Sequence, residues 1–199
     1  MKKINKRFGL SILCLLLATV FINAQSISTL KMQFALPDSY EGVIISPSVA
    51  FEFNKHAWSI GPAFLLSYGD QIEDRESFKL TGLHIGYENY IHGKDEKFSL
   101  FHSFDFYLQR IKDEQQSQYF DTATNNFQAF NIEQIDKVAQ LFANVGVLIK
   151  LSEKLSLSQT IGIGANATFR STTSPYNDFT DFFFAQDWLI KTGLSYRLK

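Results

Sequence analysis

Residues 155–170 read Leu-Ser-Leu-Ser-Gln-Thr-Ile-Gly-Ile-Gly-Ala-Asn-Ala-Thr-Phe-Arg. The odd positions, Leu155, Leu157, Gln159, Ile161, Ile163, Ala165, Ala167 and Phe169, are apolar but for one glutamine. The even ones, from Ser156 to Arg170, are small or polar. Successive side chains of a strand point to opposite faces, so a period of two marks a strand with chemically distinct sides. Sixteen residues of alternation greatly exceed the roughly five or six usual for a strand in a soluble domain.

The same rule recurs seven more times. Apolar positions alternate at 28–36 (Leu30, Met32, Phe34, Leu36), 43–53 (Ile45, Val49, Phe51, Phe53), 58–68 (Trp58, Ile60, Phe64, Leu66, Tyr68) and 78–91 (Leu83, Ile85, Tyr87). They do so again at 98–110 (Phe98, Leu100, Phe104, Phe106, Leu108), 136–151 (Leu141, Ala143, Val145, Val147, Ile149, Leu151) and 183–198 (Trp188, Ile190, Leu194, Tyr196, Leu198). Pro47 and Pro62 remove ladder donors inside two of these segments, which predicts bulges or shortened pairing there. The connections alternate too: 54–57, 92–97 and 152–154 are short, whereas 37–42, 69–77, 111–135 and 171–182 are longer on average. Eight strands with short turns at one end and longer loops at the other predict an all-β protein, a transmembrane up-and-down antiparallel β-barrel.

Composition agrees. The chain has 199 residues, 19 Lys+Arg against 20 Asp+Glu, and a mean hydropathy of −0.07. That is one domain with no basic surface for nucleic acid, and it excludes both a disordered chain and a bundle of apolar membrane helices. Phe is one residue in ten, more than a soluble core of this size readily hides. Residues 1–24 open with Lys2, Lys3, Lys6 and Arg7, continue through an apolar stretch from Leu10 to Ile22, and end at Ala24. This is the order of a secretory signal peptide, leaving 25–199 as the barrel domain. Cys14 leaves with it, and Leu13 before that Cys does not fit a lipidation site, so the exported chain has no disulfide to hold it.

The polar face decides the solvent. A soluble barrel turns that face to water and needs Lys and Glu on it, whereas an enclosed one must be small or internally paired. Here it carries Ser46, Ser48 and Ala50, then Ser59, Gly61 and Ala63. Aromatic residues collect near both ends of the apolar face: Phe53, Trp58, Tyr90, Phe98 and Tyr196 toward the short turns, and Phe34, Tyr68, Phe78, Phe169 and Phe184 toward the loops. Two such belts are expected at the two interfaces of a membrane.

Across residues 26–199 the chain resembles the small eight-stranded outer-membrane barrels, the class of OmpX and the membrane domain of OmpA. Its most specific piece is the end, Lys191-Thr192-Gly193-Leu194-Ser195-Tyr196-Arg197-Leu198. Gly193, Tyr196 and Leu198 look like the assembly signal read by the barrel-assembly machinery, although that class usually ends on the aromatic residue itself, and this chain adds Lys199 after Leu198. The overall style is similar to outer-membrane barrels of the Bacteroidota. The resemblance implies the outer membrane of a Gram-negative cell as location and its lipids as surroundings.

Ionisable residues on the inward register are Lys31, Glu52, His84, Glu88, Asp105, Lys150, Arg170, Asp187, Lys191 and Arg197. Isolated charges in an enclosed space are costly, so these are expected to pair across the lumen as a plug with no open pore. Glu52, Glu88, Lys150 and Arg197 fall toward the short turns, and Asp105, Arg170 and Asp187 toward the loops. The fragment Phe101-His102-Ser103-Phe104-Asp105 invites comparison with lipid A-modifying barrel enzymes, but His102 alternates to the face opposite Ser103 and Asp105. The four His have no tight spacing for a metal, and no cofactor motif is present. Gly61, Gly82, Gly86, Gly162 and Gly164 are expected where a tilted wall bends. The connection 111–135 mixes polar residues with Tyr119, Phe120, Phe127 and Phe130, a composition suited either to partner contact or to a hairpin continuing past the barrel. The expected function is therefore a non-enzymatic structural or interaction role, as an accessory subunit of a larger outer-membrane complex. The alternatives are a lipid A-modifying enzyme and a soluble periplasmic ligand-binding barrel.

Overall fold

The computed structural model describes residues 27–38, 42–67, 78–121, 126–173 and 178–198; the expected signal peptide lies outside them. Eight strands follow one another: β1 (Ile27–Pro37), β2 (Gly42–Phe53), β3 (His56–Ser67), β4 (Phe78–Tyr90), β5 (Phe98–Asp121), β6 (Asn126–Lys150), β7 (Leu155–Thr173) and β8 (Asp178–Arg197). Each pairs antiparallel with its neighbours in sequence, and β8 returns to β1 from Thr29↔Arg197 to Pro37↔Leu189, closing the barrel. Closure gives every strand two partners over the body of the barrel, which removes sheet edges there without a disulfide.

The faces follow the alternation. Ser46, Ser48, Ser59, Ala50 and Ala63 are buried inside, while Leu30, Met32, Phe34 and Leu36 are exposed outside. Phe51 keeps the outward register opposite Trp58 but is only 6% exposed. Pro47 and Pro62 fall opposite each other in the β2–β3 register, and the ladder skips from Ile45↔Phe64 to Val49↔Ile60 around them. A bulge follows between Ala63 and Phe64 on the other edge of β3.

Three expectations are corrected. Residues 111–135 are mostly not a loop: β5 and β6 pair without a break from Phe98↔Ile149 to Asp121↔Asn126. Polar residues alternate as well in an exposed hairpin as in a loop, so apolar periodicity lost the strand where the apolar face ended. The connection 171–182 shortens for the same reason, β7 reaching Thr173 and β8 starting at Asp178. Tyr90 belongs to no outer belt either. It shares parity with Glu88, points inward and is 1% exposed. Tyr68, and the side chains of Phe78, Tyr119 and Phe120, lie outside what the structure describes.

Inside, two apolar layers flank the polar residues. Ala35, Ile44, Ala63, Tyr107, Phe142 and Leu189 pack toward the long-hairpin end; Ala57, Tyr90, Phe101 and Leu148 pack toward the short turns. Of the expected wall glycines, Gly82 shows the tightest backbone approach, since a Cβ there would lie 1.9 Å from the Leu108 carbonyl oxygen. Gly82→Val is accordingly expected to destabilise the barrel by at least the ~1–3 kcal/mol of overpacking, read as a lower urea midpoint. An unchanged midpoint would show that β4 and β5 do not approach so closely.

Candidate functional site

The interior is a stack of ion pairs and hydrogen bonds that runs from one end of the barrel to the other. At the short-turn end Glu52 of β2 accepts from Thr29 Oγ1 at 2.5 Å and from Lys94 Nζ, with Arg197 Nη2 4.0 Å away. Arg197 Nη1 also donates to Asp95 at 3.0 Å. Lys94 sits in the β4–β5 turn. Burial, reinforced by the charge of Lys31, pushes its ammonium below the usual lysine range, and Glu52 opposes that shift. One layer deeper, Lys31 Nζ donates to Glu88 Oε2 at 2.5 Å, and Tyr90 Oη donates to the same oxygen.

The centre is Asp105 of β5. Its carboxylate meets Lys191 Nζ at 2.5 Å, His84 Nε2 at 2.7 Å and Asn144 Nδ2 at 2.7 Å, and all four side chains are nearly sealed from solvent. Tyr107 stacks on the His84 ring with centroids 4.6 Å apart. Beyond it runs a chain of amides: Thr81 Oγ1 donates to Gln109, Gln109 to Gln140, and Gln140 to Asp187 at 3.1 Å. The rim toward the long hairpins is closed by Arg170 donating through two nitrogens to Asp136, each at 2.9 Å, with its guanidinium 5.3 Å from the Phe183 ring centre.

The expected network is thus brought together, with one correction. Lys150 has no ion-pair partner among the described residues and instead borders a recess of about 10 Å³ at the short-turn mouth, the size of one water. A long lysine at a mouth reaches solvent, so it needs no counter-charge. Asp136, Tyr90, Lys94, Asp95, Gln109, Gln140 and Asn144 are members that alternation alone did not assign to the network. Asp136 shares parity with the inward Val138 and Gln140; it opens the segment 136–151, where no preceding residue of an alternating run marks its face.

The outer wall is the complement. From Leu30 to Leu36, Val43 to Phe53, Trp58 to Leu66, Leu83 to Asn89, Phe98 to Leu108, Ala139 to Leu151, Leu157 to Phe169 and Phe182 to Leu198, no outward position carries Asp, Glu, Lys or Arg. Several of its polar side chains are satisfied by one another: Asn89 with His102 at 3.2 Å, Gln159 with Thr192 at 3.1 Å, His56 with Tyr87 at 2.8 Å. His102 is exposed here, whereas Ser103 and Asp105 are buried inside. Gly193 is buried and faces inward, where a Cβ would lie 2.5 Å from Ser158 Oγ; Tyr196 and Leu198 are exposed outside. No group of three or more His, Cys, Asp or Glu among the described residues is arranged to hold a metal.

Fold and interior together define a closed eight-stranded antiparallel β-barrel whose lumen is filled by its own paired side chains. Comparison with protein-family models and with curated proteins finds no match to this chain.

Proposed function

We propose that the protein is an integral outer-membrane barrel of a Gram-negative cell, non-enzymatic and without an open pore, serving a structural or interaction role as an accessory subunit of a larger membrane complex. The observation that carries this reading is the outer wall. A face that is apolar, uncharged and has polar groups bonded to each other is suited to a solvent that offers no hydrogen bonds, and is a poor surface for water. The sealed interior supports the absence of a pore, because eight strands enclose space for little more than side chains. Support for partner contact comes from the β5–β6 hairpin. β4 pairs with β5 only as far as Gly82↔Gln109, and among the described residues no strand pairs with that edge of β5 from Arg110 onward. An edge some 12 residues long that is open among the described residues is a template for an extended segment of another chain. Phe127, 70% exposed and opposite Phe120 at the hairpin tip, extends the contact surface. Phe130 is half-buried.

Fractionation tests the location. The protein is expected in carbonate-washed membranes, released by detergent alone, and migrating faster on a gel before boiling than after. Recovery in the soluble periplasmic fraction would favour the ligand-binding soluble barrel instead.

A further inference from the structure

On the outer wall, just past the apolar band toward the long hairpins, Arg110 of β5 and Lys137 of β6 are directly opposite each other. Both are exposed, and neither has a carboxylate partner among the described residues. Like charges facing each other across a ladder are destabilising, so the arrangement calls for an anion. One rung further out the pattern differs: Lys112 is met by Glu133 at 3.4 Å. The same row continues through Phe169 and Phe182, which pack with ring centres 4.7 Å apart. The cation pair therefore lies level with aromatic side chains, at the height where an apolar band gives way to a polar layer.

Toward the middle of the wall from this pair, the exposed Leu108 leads to an apolar groove of about 230 Å³ bounded by Trp58, Ile85, Tyr87, Phe104, Phe106 and Leu141. Its near rim, Phe106↔Leu141, is four residues from Arg110↔Lys137 along the same face, or about 13 Å at ~3.3 Å per residue. Head site and tail groove lie on one side of the barrel with the exposed Leu108 between them.

We propose that Arg110 and Lys137 bind the phosphate of a phosphorylated membrane lipid whose acyl chain lies in this groove. The proposal rests on the membrane reading above. Two nearby cations hold a phosphate that bears one or two negative charges, and bringing it between them turns their mutual repulsion into attraction for the ligand. A neutral headgroup would leave the pair uncompensated, and a free phosphate would gain nothing from the groove.

The test is native mass spectrometry of the full barrel in detergent, titrated with phosphatidic acid, with phosphatidylcholine of the same chains, and with inorganic phosphate. The parent is expected to retain phosphatidic acid roughly thirtyfold more tightly than Arg110→Gln/Lys137→Gln, counting two cations at the surface. Added salt should erode the difference, phosphatidylcholine should bind both proteins alike, and inorganic phosphate should be held weakly by both. The double substitution is also expected to leave the unfolding midpoint unchanged or raised, since it removes repulsion. Equal retention of phosphatidic acid by the two proteins would overturn the proposal. So would equal binding of inorganic phosphate and phosphatidic acid by the parent, which would show that the groove contributes nothing. Insertion of both proteins into vesicles, scored by the gel shift, separates the two levels. A parent that inserts but shows no preference loses only the lipid site, whereas one that stays in the aqueous phase loses the membrane reading with it.

Discussion

Asp105→Leu is expected to cost the folded barrel about 3–5 kcal/mol, the range found when one partner is removed from a buried ion pair. The reason lies in what remains. Lys191 Nζ is 2.5 Å from the carboxylate and its side chain is 2% exposed, so without Asp105 it keeps a buried charge and loses its counter-ion. His84 Nε2 and Asn144 Nδ2 lose an acceptor in the same step. Urea unfolding in detergent micelles, followed by gel mobility, measures the loss. Removing both charges with Asp105→Leu/Lys191→Met is expected to restore much of the stability, because an apolar replacement of a whole buried pair is often neutral. Restoration stays partial, since His84 and Asn144 keep their unmet donors. A single variant as stable as the parent would show that the central cluster does not hold the lumen together.

Val145→Arg is expected to cost about 2–4 kcal/mol in lipid vesicles, as for a charge at the lipid-facing midplane of a barrel. Val145 is 63% exposed, lies near the middle of the outward run of β6, and pairs with Ile161, itself 55% exposed. Were this face in water, the same substitution would fall within about 0.5 kcal/mol, the usual effect at a surface position. The two outcomes differ several-fold, so the unfolding free energy of one variant discriminates a membrane barrel from a soluble one. The control is Gln118→Arg, on the exposed β5–β6 hairpin beyond the apolar band, where the same added charge is expected to change stability little.

The faces of the strands were legible because parity is a local property. Gln140, Asn144 and Asp187 could be placed inside the barrel, and Leu141, Val145 and Trp188 outside, from a few neighbours each. Legibility failed where the local signal changed character. In residues 111–135 both faces are polar, so strand and loop look alike; Asp136, at the first position of the next alternating segment, was passed over although Arg170 grips it with two hydrogen bonds. Tyr90 failed differently. Its ring suits an interface as well as a core, and its parity with Glu88 was the better guide.

Sequence alone determined that this chain forms eight two-faced strands, which face of each is apolar, and most of the charges that are enclosed. Only the closed structure decided their partners. Lys31 meets Glu88 across 57 residues and Lys191 meets Asp105 across 86. Alternation is a property of neighbouring residues, whereas partnership across a lumen depends on how far each ladder is staggered from the last around the ring. That stagger accumulates over eight interfaces and is altered by the bulge beside Ala63 and the irregularity between Ile27 and Thr29. No single segment of sequence contains it.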